Sequence, residues 1–387
     1  MSALPYLLAL AVFAQGTSEF MVSGLVPGLA AGLGVSVAAA GSVTAVFAAG
    51  MVAGAPVLAV VARRWSRRIA LLVFLGVFIA AHVAGALAPG FGFLLVTRFV
   101  AALANAGFLA VALGVAADVA PGAEKRATAI VLTGTTLACV AGVPAGAVLG
   151  QVWGWRSAFV AVAVVSVPAF AAIARWVPVG ESGRTSAGRV PAGEAARRSA
   201  RREPPRMSVR AEFAVLRRPA VAAALGRGAL VNAATFAVFT YLAPLVAGVV
   251  WLPAVLALFG LGASAGVALA GRRPATLPAG VALAAGWVAF ALGAGNAVVL
   301  LGLVAVQATL AFAVGSTAVA QVLRAAPDAP TLRGAFATAA FNVGAATGPW
   351  LAAVALGADL GYRAPVWLAA LLTAAALAVS RNREHCS

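Results

Sequence analysis

From Met1 to Val61 the chain carries one charged side chain, Glu19. A hydrophobic stretch of that length crosses a bilayer, since about 20 apolar residues in a helix span the hydrocarbon and close their own backbone hydrogen bonds. An ionisable group held inside such a span costs roughly several kcal/mol unless it faces a cavity or does a job. Glu19, within the run Gln15-Gly16-Thr17-Ser18-Glu19-Phe20-Met21, is therefore the first functional candidate.

The rest of the chain follows suit. With 63% hydrophobic and 10% charged residues among 387, no soluble domain hides this much apolar surface. About twelve spans of roughly 20 residues plus loops use the length. The expected fold is an all-α membrane protein. A closed β-barrel would need alternating polar and apolar positions, whereas these runs are apolar on every face.

The net charge of +17 does not point to nucleic acid. The basic residues cluster between apolar runs, where they set membrane orientation. The spans are expected at about 5–31, 38–62, 69–88, 93–117, 127–151 and 157–177, with a cytoplasmic loop at Arg63-Arg64-Trp65-Ser66-Arg67-Arg68. Residues 178 to 218, with ten arginines, four glutamates and several Pro, Gly and Ser, read as a basic cytoplasmic linker, disordered in large part. It separates a bundle over 1–177 from a second over 219–387. In the second, turns are expected near Gly248 to Trp251 and Gly293 to Asn296, and loops at Arg272-Arg273-Pro274 and Arg324 to Arg333. An even number of spans places both termini inside. Of the basic residues, only Arg156 and Arg363 fall in expected external loops. Cys139 and Cys386 lie too far apart to suggest a disulfide, and the N-terminus lacks the basic start of a signal peptide, so the first span is expected to be retained.

Arg156 and Arg363 also expose an internal repeat. Arg126 to Arg156 and Arg333 to Arg363 have equal separation, and at that offset Gly150 meets Gly357, Gly154 meets Gly361 and Trp155 meets Tyr362. Two six-helix bundles related as parallel repeats are the arrangement of transporters that rock about a site near the midplane.

Arg98 is the only charged residue in the body of the fourth span. Counted at 1.5 Å per residue, it and Glu19 sit at similar depth. They communicate directly or through water, and a carboxyl so placed is poised to bind and release a proton as access alternates. The alternatives are a fixed structural pair or an Arg98 that snorkels outward. In the fifth span, glycines four residues apart form a smooth ridge for a neighbouring helix, and Pro144 removes a hydrogen bond to Val140, which favours a bend. Close packing alone explains this as readily as gating does. Gly344, Gly348 and Pro349 are a partial counterpart.

On these residues the chain resembles the twelve-span drug:proton antiporters of the major facilitator superfamily, and among them the actinomycete chloramphenicol-efflux type. The likeness is carried by Phe13 to Gly24, Thr97-Arg98 through Asn105-Ala106-Gly107-Phe108, Cys139 to Gly150 with Gly154-Trp155-Arg156, Tyr241-Leu242-Ala243-Pro244 and Phe341-Asn342-Val343-Gly344. The resemblance implies two pseudo-symmetric six-helix bundles. It makes Gly142, Pro144, Gly146 and Gly150 the antiporter motif and Arg98 the arginine of proton coupling with Glu19. It assigns Arg64, Arg67 and Arg68 to the gate loop. One departure stands out: Arg63 occupies the place of that loop's usual acid, and Ser66 that of its glycine, so the acid's role is absent or supplied elsewhere.

Spans one, seven and eleven would line the central space in such a fold, which makes Phe13, Asn232, Phe236, Tyr241 and Asn342 the substrate-binding candidates. Each of them alone is more often a packing residue. An aromatic wall with few polar groups suits a neutral amphipathic molecule; chloramphenicol fits, although the physics does not select it. An exporter of a sugar, nucleoside or endogenous metabolite, or a proton symporter, remains the alternative.

An enzyme is not expected. The only lysine, Lys125, precedes Arg126 and makes no P-loop. His82 and His385 are too far apart for a zinc site. The expected partners are a small-molecule substrate, protons and the lipid bilayer, with no cofactor, no metal and no nucleic acid. The proton gradient is the energy source, and the protein is expected to be a monomer in the cell membrane with both termini cytoplasmic.

Overall fold

The computed structural model describes residues 4–62, 65–118, 123–177, 214–326 and 333–384, and among them there is no strand. The helices are α1 (Leu4–Leu33), α2 (Val37–Ala62), α3 (Arg67–Ala86), α4 (Phe91–Asp118), α5 (Glu124–Leu137), α6 (Val143–Trp153) and α7 (Trp155–Trp176). After these come α8 (Pro219–Thr240), the short α9 (Leu242–Val246), α10 (Leu252–Arg272), α11 (Leu277–Gly293), α12 (Ala297–Ala325), α13 (Arg333–Gly357) and α14 (Ala364–Glu384). Ten spans are long and apolar enough to cross a membrane, with α5 and α6 counting as one, and two shorter apolar helices lie in α11 and α14. These are the twelve spans legible in the sequence. Valines 73 and 77 on α3 and 160, 164 and 167 on α7 stand exposed. In water such apolar flanks would be a liability, whereas in hydrocarbon they are the lipid contact.

Side chains that point away from lipid form two large cores. One, built mainly on α1 to α5 and α7, buries Leu8, Phe47, Leu71, Phe78, Phe108 and Phe159 and takes in Ala352 of α13; the other, built mainly on α8 to α12 and α14, buries Leu283, Trp287, Phe290 and Leu300 and takes in Val143 and Ala147 of α6. The two groups meet where α2 packs on α13 and where the α5–α6 span packs on α10. At the end remote from the chain termini, Tyr241 crosses between them. Its hydroxyl donates to the carbonyl of Ala38 on α2 at 3.0 Å, and Pro349 O on α13 lies 3.4 Å away.

The repeat has a geometric counterpart. Gly154 and Gly361 both adopt positive φ, at 81° and 75°, a conformation that costs glycine nothing and lets each chain reverse into its next helix. Arg156 then reaches the carbonyl of Ala88 at 3.1 Å, and Arg363 lies beside Gly295, the residue at the same offset. Trp155 and Tyr362 do not match in setting, for Trp155 is buried and Tyr362 is exposed.

At Pro144 the fifth span departs from a regular α-helix. Lacking an N–H, it cannot bond Val140, and the chain opens into a π-turn over Ala138–Gly142 before α6 begins. Ser66, standing where the resemblance expects glycine, caps α3 by accepting the Ile69 N–H at 3.3 Å. Arg68 donates to the carbonyl of Ala174 in the last turn of α7, which ties this loop to its own group of helices. Arg67 also belongs to the described residues; Arg64 and residues 178–213 of the expected linker lie outside them. Residues 214–218 are described. Their 3-10 turn, Val215–Arg217, buries Val215 against Val221, Ala326 and Phe336.

Candidate coupling and substrate site

The glycines of α5–α6 determine how close α1 can come. A Cβ on Gly142 would run into Thr17 Oγ1, one on Gly146 would press on Met21, and one on Gly150 would meet Leu25. Gly16 and Gly24 return the favour opposite Ala138 and Ala147. Two helices with small residues in register pack backbone to backbone, so the ridge read from the sequence serves α1. Gly344 and Gly348 pack in the same manner on the backbone of α8 at Ala229 and Ala233.

With one face of α1 fixed, the neighbouring face presents Ser18 and Glu19 to α3 and α4. Arg98 on α4 is 1% exposed, so it points inward and does not snorkel. Its Nη1 donates to Ser18 Oγ at 2.7 Å and its Nη2 to the Ser18 carbonyl at 2.8 Å. The guanidinium also lies over Phe47 at 4.2 Å and near Phe159 at 5.7 Å from the ring centroids. Glu19 is partly exposed, and Asn105 Nδ2 lies 3.5 Å from its Oε2. Arg98 is thus held on Ser18, the residue next to Glu19. Arg98 and Glu19 share no ion pair among the described residues: the arginine is held by Ser18 and the carboxylate faces Asn105.

Phe20 continues from Glu19 into an aromatic crevice. Its ring centroid is 5.9 Å from Phe236 and 6.4 Å from Phe239 of α8; Phe239 stacks on Phe259 of α10 at 4.6 Å, and Phe259 meets Phe312 of α12 at 6.1 Å. Cys139 and Thr235 complete the lining. The crevice is narrow and apolar, set between the two groups of helices.

Of the substrate candidates, Phe236 lies in this crevice. Phe13 is partly exposed about two turns away along α1. Asn232 binds the carbonyl of Phe341 through Nδ2 at 2.6 Å and so ties α8 to α13, and Asn342 bonds its own helix at Thr338 O. Tyr241 is placed elsewhere, with its ring buried at the far end and its hydroxyl bonded across the groups.

Sequence reasoning missed Phe20, Phe239, Phe259 and Phe312, as well as Asn105 and His82. Asn105 had a signal, since it stands two turns after Arg98 on the same face. Phe20 had one in adjoining Glu19. Nothing in the sequence distinguishes Phe259 or Phe312 from ordinary packing residues. A separate cavity of about 230 Å³ lies within the second group, between α8, α11, α12 and α14, with Arg227, Thr317 and Gln321 in its wall.

Comparison with known proteins agrees with this architecture. The family model of the Major Facilitator Superfamily matches residues 8–328. The chain is 48% identical to the chloramphenicol resistance protein of Streptomyces lividans, over 97% of this chain and 94% of that one. It is 31% identical to the inner membrane transport protein YdhP of Escherichia coli K12, over 73% of this chain and 70% of that one. Among solved structures, a bacterial homologue of the human lysosomal transporter Spinster, in an inward-facing and unoccupied conformation, superposes with a TM-score of 0.75 at 17% identity. The match covers 98% of this chain and 97% of that chain.

Proposed function

The chain belongs to the major facilitator superfamily, and from that premise we propose that it exports chloramphenicol, or a small amphipathic drug like it, in exchange for protons. The observation that carries this reading is the adjacency of Glu19 and Phe20. One residue of α1 presents an acid to Asn105 and the Arg98 field, and the next forms the edge of the aromatic crevice. A proton and an apolar ligand would therefore compete or exchange at neighbouring positions on one helix. Chain-long identity to a chloramphenicol resistance protein supports the choice of drug.

In this reading Glu19 is the proton carrier and Arg98 tunes it. Phe236 and Phe20 hold the drug, with Phe13, Asn232 and Asn342 near its path. Gly142, Pro144, Gly146 and Gly150 form the seam on which α1 and α10 move, and Tyr241 is the latch at the outer end. Bundles over 1–177 and 219–387 rock about the crevice, with 178–218 linking them on the cytoplasmic side. Arg64, Arg67 and Arg68 belong to the gate loop there. The protein works as a monomer in the cell membrane with both termini in the cytoplasm, driven by the proton gradient without a bound cofactor. Its role is transport, with no catalytic step.

The test is accumulation of labelled chloramphenicol in cells with and without the protein, in the presence and absence of a protonophore. Lower accumulation that the protonophore reverses is expected. Equal accumulation in all four conditions would contradict the proposal.

A further inference from the structure

Ser18 has a second partner, and that partner has no part in the reading above. His82 on α3 is 1% exposed; its Nε2 lies 2.6 Å from Ser18 Oγ and its Nδ1 lies 2.7 Å from the carbonyl oxygen of Phe78. The hydrogens along this line can be assigned from chemistry alone. A carbonyl only accepts, so Nδ1 carries a hydrogen; Arg98 Nη1 only donates, so Ser18 Oγ accepts from it. Ser18 then has one hydrogen left to give, and the acceptor within reach is His82 Nε2. The result is a directed chain, Arg98 to Ser18 to His82 to Phe78 O, in which every donor meets an acceptor and the imidazole is neutral. A ring carrying both hydrogens would aim a second cationic donor at the oxygen that Arg98 already occupies.

We propose that His82 is a positioning residue of the coupling site: by accepting the Ser18 hydrogen it turns a Ser18 lone pair toward Arg98 and so holds the guanidinium on Ser18, beside Glu19 but off it. The groups that face His82 are Ser18 from α1, Arg98 from α4 and Phe159 from α7, whose ring centroid is 5.9 Å away, with Phe78 of its own helix at 4.1 Å. Arg98 Nε, buried without a partner among the described residues, retains a donor for use when the guanidinium is released. The inference rests on the proton-coupled reading of Glu19 and adds to it the residue that decides where its arginine stands.

Two measurements on the full chain test it. The sequence has two histidines, so replacing His385 leaves His82 as the only histidine for nitrogen-15 NMR in lipid. The ring should show its hydrogen on Nδ1 and an acceptor Nε2, and Ser18→Ala should shift the Nε2 resonance. A ring with its hydrogen on Nε2 overturns the proposal. In proteoliposomes with labelled chloramphenicol and an imposed pH gradient, His82→Phe should lower the maximal rate about tenfold, the loss expected for one buried hydrogen-bond partner, with KM little changed. His82→Gln, whose amide can accept from Ser18 and donate to Phe78 O, should restore most of it, and Ser18→Ala with His82→Phe should be no slower than Ser18→Ala alone. Wild type coupled to protons with His82→Phe at the wild-type rate, or with losses that multiply in the double variant, overturns the proposal alone. Wild type that moves chloramphenicol without protons, or does not move it, overturns the coupled reading and this role for His82 with it.

Discussion

Gly142 has no room for a side chain, because Thr17 Oγ1 stands where its Cβ would be and the hydroxyl is already buried. Valine there must push α1 away from α5–α6, and overpacking of this kind costs about 1–3 kcal/mol. Gly142→Val should therefore lower the melting temperature in detergent, read by intrinsic fluorescence, while valine at Gly90, where nothing stands near, should leave it unchanged. Glu19 and Arg98 were legible at this scale because a charge inside a lipid-spanning run is rare enough to stand out. Their direct partners were not. Ser18, His82 and Asn105 are neutral polar residues, which helices carry for many reasons, and only the fold brings them together across three helices.

Among the elements, the fifth span shows how far a local rule reaches. Pro144 foretold a bend, since it lacks the donor that Val140 needs. That the span opens into a π-turn over Ala138–Gly142 depends on what lies opposite: Gly260 of α10 lets the Cys139 carbonyl approach so closely that a Cβ would collide with it. Periodicity within one span carries no information about a glycine more than a hundred residues away. Pro144→Ala restores the donor and removes the reason for the wider turn. The protein should still reach the membrane, yet melt at a lower temperature and export drug at least about tenfold more slowly, because a regular helix rotates every residue after the turn by about 100° and takes Gly146 and Gly150 away from Met21 and Leu25. Export at the wild-type rate would show that the π-turn is only packing. The ends of the helices were easier, since Ser66 and Asn296 cap α3 and α12 and the arginine clusters fall between spans.

For the whole molecule, the twelve spans were legible from hydrophobic length and charge clusters, because bilayer thickness and backbone satisfaction leave few other solutions. How the two groups of helices meet was not, as it depends on contacts between residues remote in sequence. Tyr241 illustrates this: taken from the sequence as a drug contact, it instead reaches across the far end to Ala38 and packs over Gly41. Tyr241→Phe removes one buried hydrogen bond of about 1 kcal/mol, about a fivefold shift in a two-state balance. Spin labels at Ser36 and Trp251 should report a larger share of long distances in that variant, and an unchanged distribution would deny Tyr241 its role as a latch.

The account depends most on Glu19 giving up a proton when drug arrives beside it. Purified protein in weakly buffered detergent, mixed with chloramphenicol, should acidify the medium, and Glu19→Gln should bind the drug without acidifying it. Equal proton release by both would place the exchanging proton elsewhere and contradict the mechanism.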